Sequence, residues 1–415
     1  MFKRSIDFLN LHKVISPNQF GFRKNFSTYH PILDIVTNCF DNIENKKFTS
    51  LLFLDFTKAF DTVNHQILLS KMECYGIRGI VNSFFSSYLN NRYQFVSLNN
   101  IDSKLCKMDI GVPQGSILGP LLFILYINDL PNSVRCVSRL FADDSCLMVT
   151  SSSLEMLISS TNKELKNISH WSTANRLILN PSKSNAIFIN PKINTPTVKN
   201  KLSSSFGNIK IVSHTKYLGV IIDNKLNFKE HIQFIHTKVS RAVGLLNRIK
   251  HFLNLSSLKT LYYSLIHSHF VYSLIVWGNT YSTSLDKLFL IQKKAVRIVS
   301  QSFWLESTKP IFSNLQILPL HNLIKFETGK FIHKYYNNKL PEIFLNYFLK
   351  VKNYHKHITR SSSLENLVVP LYKTKKTQFS IKYTGPAVWN SIPFNIKMNS
   401  IFKFKKTFKE YLFFN

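Results

Sequence analysis

Three stretches of the sequence predict an α+β protein. Thr49-Ser50-Leu51-Leu52-Phe53-Leu54 ends in Asp55, the pattern of a buried strand that carries an acid to its carboxyl end. Within Arg139–Val149 two short β-prone runs flank the adjacent acids Asp143 and Asp144, which reads as a hairpin with the acids at its tip. From Phe228 the pattern changes: Phe228, Ile232, Ile235, Val239, Val243, Leu246 and Ile249 recur at helical spacing. A strand-bearing part followed by a helical part is therefore expected, with a boundary near Asn224.

Taken in order, the chain starts as a short basic segment in which Gln19-Phe20-Gly21-Phe22-Arg23-Lys24 leads to a helix predicted over 27–43. Ser27 and Thr28 can cap it, and Ile32, Leu33, Ile35, Val36 and Phe40 supply its apolar side. Arg23 and Lys24 would either hold phosphates or form a solvated basic loop. After Asp55, residues 58–65 turn into a helix through Leu68, Leu69 and Met72. Residues 110–120, punctuated by Gly111, Gly115, Gly119 and two prolines, lead into an apolar helix predicted over 117–130. That loop would lie under a base or sugar with Gln114 as its polar contact, or be a plain left-handed turn.

Ser152 and Glu155 have capping-box spacing, and Leu154, Leu157, Ile158, Leu165, Ile168 and Trp171 form the stripe of the following helix. Leu177–Lys183 breaks it and Ala186–Ile189 resumes a strand. Residues 209–212 and 217–222 are read as one more strand pair. Further helices are expected from Phe228, from Ser256, over 285–299, near 326–336 and near 402–412, the first carrying Lys238, Arg241, Arg248 and Lys250 away from its apolar stripe.

A length of 415 residues, 45% hydrophobic and 13% aromatic, supports real cores in two or three domains. Lys+Arg 53 against Asp+Glu 22 leaves a formal charge of +31, self-repulsive unless a polyanion neutralises it; nucleic acid is the natural partner. No secretory signal follows the basic start. The longest apolar run, Leu118–Ile127, contains Gly119 and Pro120 and falls short of the roughly 20 residues of a membrane span. A protein that acts inside the cell, neither secreted nor in a membrane, is expected. Cys39, Cys74, Cys106, Cys136 and Cys146 are dispersed and read as buried free thiols, and His267 and His269 as polar fillers.

In so basic a chain each acid is informative. Asp143 and Asp144 alone could be ordinary turn residues. Asp55 at the end of an apolar strand is costly to bury without a partner, which favours a metal ligand. Phosphoryl transfer by two divalent cations needs carboxylates from separate strands, holding the ions roughly 3.5 to 4 Å apart. One strand-end Asp and one Asp-bearing hairpin supply them if the two strands are neighbours.

Phe53-Leu54-Asp55-Phe56-Thr57-Lys58-Ala59-Phe60-Asp61, Gly111-Val112-Pro113-Gln114-Gly115-Ser116, Phe141-Ala142-Asp143-Asp144, Leu179-Asn180-Pro181-Ser182-Lys183 and Tyr217-Leu218-Gly219-Val220 occur in the order and spacing of reverse transcriptase motifs A to E. The set resembles non-LTR (LINE-like) retrotransposons of the jockey and chicken-repeat-1 type. That resemblance implies a right-handed polymerase palm, an antiparallel sheet packed on helices, over 49–224. It implies partial fingers over 1–48, a helical thumb over 225–310 and a basic aromatic carboxyl-terminal region over 311–415.

The implied activity is RNA-directed DNA polymerisation; the alternatives are an inactive nucleic-acid-binding remnant and an RNA-directed RNA polymerase. By the same resemblance Asp55 and Asp143 are ligands of two Mg2+ ions, with Mn2+ as substitute, and Asp144 is their less strictly required neighbour. Phe60 looks like the steric gate that rejects a ribose 2′-hydroxyl. Gln114, with Gly115 beside it, would contact the incoming nucleotide, Arg23 would touch its triphosphate, and Lys183 would give a proton to pyrophosphate. Tyr217, Leu218 and Gly219 resemble the primer grip. The implied partners are an RNA template, a DNA primer or target and dNTPs, in the nucleus or cytoplasm.

The endonuclease and upstream finger block of related full-length proteins are not found ahead of Gln19, and the acids after Glu230 are too scattered for a ribonuclease H. The chain is therefore expected to be the polymerase portion of a truncated element. Residues 383–390 resemble the carboxyl end of the same group and are expected to be a terminal packing element.

Overall fold

Six of the seven residues of β1 (Phe48–Leu54) are buried; a neighbouring strand covers each edge and the helix Leu154–Ala174 packs against it. The computed structural model describes residues 1–191, 202–354 and 364–414. Between β1 and the acidic hairpin lie β2 (Tyr93–Gln94), β3 (Ser97–Leu98), β4 (Ile101–Asp102) and β5 (Cys106–Lys107), which pair into two small exposed ladders. The hairpin is β6 (Val137–Phe141) and β7 (Asp144–Ser151), and β8 (Asn185–Ile189), β9 (Leu202–Ser204) and β10 (Gly207–Ile211) follow. The main sheet has the order β6-β7-β1-β8-β10-β9, antiparallel except where β10 runs parallel to β8.

The helices up to residue 174 are α1 (Phe2–Leu11), α2 (Tyr29–Glu44), α3 (His65–Cys74), α4 (Ile80–Leu89), α5 (Leu118–Ile127) and α6 (Leu154–Ala174). Helix α5 is apolar all round and eight of its residues are buried, so it forms the centre of the core rather than one wall. Helix α3 packs on α4 and α5, while α6 packs on β7 and β1. The expected helix over 117–130 is this shorter α5, followed by a 3₁₀ turn at Leu130–Ser133.

Two compact bodies emerge from the contacts: Met1–Pro31 with Lys46–Ser213, and Ile32–Asn45 with the described residues from His214 onward. The second body contains the hairpin β11 (His214–Tyr217) and β12 (Val220–Asp223), then α7 (Lys229–Ile249), α8 (Leu255–Tyr262) and further helices, including Ser282–Val299, Leu320–Tyr336 and Ile401–Phe414. Most of α2 belongs to this body. Its Asp34 accepts from the Tyr347 hydroxyl, Asp41 from Tyr372 and Lys382, and Glu44 from Thr377. Among the described residues no helix is long and apolar enough to cross a membrane.

Three local expectations are corrected. The cap of α6 is Ser153, whose side chain accepts from the Met156 N–H, so the Ser152–Glu155 box does not form. Residues 209–212 do not pair with 217–222: β10 joins the main sheet, and 220–223 pairs instead with 214–217 because Leu218 and Gly219 take positive φ and turn the chain between β11 and β12. All five cysteines are free, but only Cys39 and Cys146 are buried. Cys74, at the end of α3, and Cys106, in an exposed ladder, face solvent.

Candidate active site

The register of β1 against β7 sets Leu54 opposite Ser145, so Asp55 emerges beside the tip of the acidic hairpin. The two strands are neighbours, as two acids acting together require. The β6–β7 ladder closes on the pair Phe141–Asp144, which leaves Ala142 and Asp143 as the two turn residues. Ala142 sits at a left-handed φ of 54°.

Asp55 and Asp143 open onto a cavity of about 470 Å³, whose walls include Phe60, Asp61, Gln114, Asn180 and Lys183. Its volume falls in the range of small-ligand sites. Each wall residue is held by a local device. Beyond Asp55, Thr57 N–H bonds to Ile178 O at 2.8 Å and Asn180 N–H to Asp55 O at 2.8 Å, so the 178–184 loop extends the edge of β1. Buried Ser184 accepts from the Asp55 N–H at 3.1 Å and donates to Asn180 O at 2.8 Å. The Asn180 side chain accepts from Ser182 N–H and Lys183 N–H, an Asx turn that presents exposed Lys183 at the cavity.

On the opposite wall Gly111 N–H bonds to Val63 O at 2.7 Å and Val112 N–H to Phe60 O at 2.9 Å. A Cβ on Gly111 would lie 2.7 Å from Asp61 O, and its φ is 84°, so glycine is required there. This joins the 110–116 loop to the turn after β1 and brings Phe60 and Gln114 to one cavity. The Phe60 ring stacks on buried Phe123 at 4.2 Å between centroids, which fixes it as a rigid wall. Gln114 donates to Asp61 at 2.6 Å.

The carboxylates are unsettled. Burial, and then the charge of Asp55, raise the Asp143 carboxyl above the usual range, while its own backbone N–H and that of Asp144 pull it down. Asp144 keeps solvent on its outer side while protein crowds the other. That crowding, then the charges of Asp143 and Asp55, push it up to about 6. None of the three acids has an ion pair among the described residues. Crowded carboxylates of this kind fit a hard divalent cation, which takes oxygen ligands and removes the repulsion. Among the described residues no three His, Cys, Asp or Glu converge into a ready cage, so a cation here would be held by two carboxylates with substrate oxygens and water.

The remaining expected residues lie elsewhere. Asp144 and Gly115 do not line the cavity; Gly115, with a φ of 80°, makes the loop turn. Arg23 also stands outside the lining, bonded to Ser16 O and Gln19 O and stacked over Phe26 at 4.2 Å. Tyr217, Leu218 and Gly219 belong to the second body. There Leu218 O accepts from the Tyr272 hydroxyl at 2.7 Å, and a Cβ on Gly219 would lie 2.9 Å from the Tyr272 ring. Ser184 and Tyr272 had no sequence signal, because their partners are 129 and 54 residues away.

A mostly antiparallel sheet that delivers a strand-end acid beside an acid-bearing hairpin defines the palm of a nucleotide polymerase. The family model described as reverse transcriptase (RNA-dependent DNA polymerase) matches residues 3–222, more than half of the chain, and the chain belongs to this family. Among curated proteins it is similar to the RNA-directed DNA polymerase from mobile element jockey of Drosophila melanogaster, 28% identical over 341 residues, covering 78% of this chain and 36% of that protein. The probable RNA-directed DNA polymerase from transposon X-element of the same organism is 27% identical over 338 residues, covering 79% of this chain and 37% of that protein. The chain thus spans less than two fifths of the length of these relatives. The jockey-type resemblance read from the motifs is borne out. Among solved structures it is similar to telomerase from Candida albicans, solved with a fragment of telomeric RNA, at 12% identity and a TM-score of 0.41 over 76% of this chain and 57% of that one.

Proposed function

We propose that this chain is an RNA-directed DNA polymerase of a retrotransposon, extending a nucleic-acid primer by two-cation nucleotidyl transfer. The observation that carries the reading is the opening of Asp55 and Asp143, from adjacent antiparallel strands, onto one cavity with Phe60, Gln114 and Lys183. In this reading Asp55 and Asp143 hold two Mg2+ ions, or Mn2+, and Asp144 adds negative potential beside them. The bound cations would supply the positive charge that offsets charge developing on the transferring phosphoryl group.

The chain's own groups do the rest. Lys183, on the same cavity, would give a proton to departing pyrophosphate. Phe60, braced by Phe123, presents an apolar ring that cannot hydrogen-bond a 2′-hydroxyl, so a ribonucleotide would lose hydration without compensation. Gln114 turns from Asp61 to the incoming nucleotide, with Gly115 giving the loop its bend. Arg23 reaches the triphosphate only by giving up its bonds to Ser16 and Gln19, which makes it the weakest member of the set. The Tyr217–Gly219 turn, braced by Tyr272, serves as primer grip, and the basic side of α7 follows the template–primer backbone. In domain terms 1–48 are fingers, 49–224 palm, 225–310 thumb and 311–415 the carboxyl-terminal region. RNA template, DNA primer and dNTPs are the partners, met in the nucleus or cytoplasm.

The test is incorporation of dNTP against NTP on a primed RNA. The unmodified chain should prefer dNTP, and Phe60→Ala should narrow that preference by roughly 10- to 100-fold. A preference of the unmodified chain for NTP would overturn the assignment.

A further inference from the structure

The turn that carries Asp143 is held from a distance of more than a hundred residues. The β6–β7 ladder ends at Phe141–Asp144, so the Ala142 N–H lies beyond it. Its partner is Gln19, whose side chain is fully buried. Gln19 Oε1 accepts from Ala142 N–H at 3.0 Å and from Gly21 N–H at 2.8 Å. Two backbone donors converging on one atom fix the amide's orientation, since only its oxygen can face them.

The segment around Gln19 is itself pinned. Phe20 N–H bonds to Leu140 O at 2.8 Å and Leu140 N–H to Asn18 O at 2.9 Å, which closes the outer edge of β6. Arg139 donates to the Asn18 side chain at 2.7 Å, and Ser16 N–H bonds to the Asn128 side chain at 2.7 Å. A Cβ on Gly21 would lie 2.5 Å from the Ala142 nitrogen, so the close approach admits only glycine. Backbone bonds alone would cover the strand edge. The side-chain bond of Gln19 instead reaches past the strand end to the one residue whose left-handed φ sets the direction of Asp143. Gln19 Nε2 is buried with no partner among the described residues, a cost that edge covering does not explain.

We propose that Gln19 is a positioning residue of the active site: its amide oxygen holds the Ala142–Asp143 turn so that the Asp143 carboxylate faces the cavity. This rests on the polymerase reading of that cavity. Gln19 touches neither nucleotide nor cation in this role and acts through the turn.

Two variants of the full chain separate positioning from folding. Gln19→Met keeps length and volume but removes the acceptor, whereas Gln19→Glu keeps an acceptor for both N–H groups. Mn2+ affinity is measured by calorimetry without substrate, the Mg2+ concentration for half-maximal primer extension by titration, and the Ala142 amide by hydrogen exchange. In Gln19→Met, Mn2+ affinity should fall about tenfold and the half-maximal Mg2+ concentration rise about as much. Extension at saturating Mg2+ should change far less. The Ala142 amide should exchange at least about tenfold faster, with β1 amides unchanged.

Gln19→Glu should keep the Ala142 amide protected. Wild-type Mn2+ affinity and half-maximal Mg2+ in Gln19→Met would overturn the proposal, as would loss of Ala142 protection in Gln19→Glu should Gln19→Met not fold. If the unmodified chain neither binds Mn2+ nor extends a primer, the polymerase reading fails. The exchange measurement then still decides the clasp, which unchanged Ala142 protection in Gln19→Met would refute.

Discussion

In the body that begins at His214 and includes residues 32–45, the carboxylates on α2 are consumed by their neighbours: Asp41 accepts from Tyr372 at 2.7 Å and Lys382 at 2.6 Å, and Glu44 from the Thr377 hydroxyl and the Lys373 N–H at 2.8 Å each. Asp223 accepts from the N–H groups of Lys225, Asn227 and Phe228 ahead of α7. The amino-proximal body holds Asp129 the same way outside the cavity, where it takes Lys71 at 2.6 Å and the Trp171 indole at 3.2 Å. At the cavity the pattern reverses. Asp55 and Asp143 open onto it with Asp144 beside them, and burial and mutual repulsion raise Asp143 and Asp144. What sets these three of the chain's 22 acids apart is that they crowd one another without a cationic partner among the described residues, an arrangement that suits a ligand better than the fold.

Substitution on each side of this contrast should have opposite consequences. The largest effect is expected from Asp143→Asn, which removes a carboxylate but little packing: primer extension should fall about 10³-fold, the loss of several kcal/mol of charge stabilisation, with the thermal midpoint kept or raised. Extension near the wild-type rate would break the contrast at its functional end. Asp41→Ala should do the reverse. It leaves Lys382 and Tyr372 half-buried without their acceptor and should cost about 2 kcal/mol in urea unfolding, while the rate per folded molecule is retained. A cost near zero would mean that the clasp on α2 is only a surface pair.

The smallest effect sharpens the electrostatic side. Because Asp144 is raised in the folded state, that state keeps a proton the unfolded chain has already released. Stability without cation should therefore fall as pH rises from about 4 through about 6. Asp144→Asn removes this penalty and should stabilise the protein by about 1 kcal/mol at pH 7.5, discounted for the solvent on its outer side, and by almost nothing near pH 3.5. Saturating Mg2+ should shrink the difference at pH 7.5. A stabilisation that persists unchanged at pH 3.5 would assign it to packing instead of charge.

Much of this was legible in the sequence because it is local. The apolar run into Asp55, the β-prone flanks of Asp143 and Asp144, and the stripes of α6 and α7 each depend on residues within a few positions of one another. The misreadings were also local ties. Ser152 and Ser153 are both competent caps one residue apart, and the helix starts at Leu154 with Ser153 as its cap. Residues 209–212 and 217–222 are both strand-like, and only the left-handed Leu218 and the sheet edge offered by β8 assigned them different partners.

The sequence by itself determined which acids are present, that two lie at a hairpin tip, and to which family the motif order belongs, since these follow from spacing and composition. The tertiary structure alone decided that β1 lies against β7 with Asp55 beside Asp143. It also decided that α2 is clasped by Tyr347, Tyr372, Thr377 and Lys382, and that Gln19 holds the Ala142 turn. Such pairings join residues up to 341 positions apart. Nothing in the neighbourhood of either partner encodes them, because their free energy arises only when the fold brings both to one place.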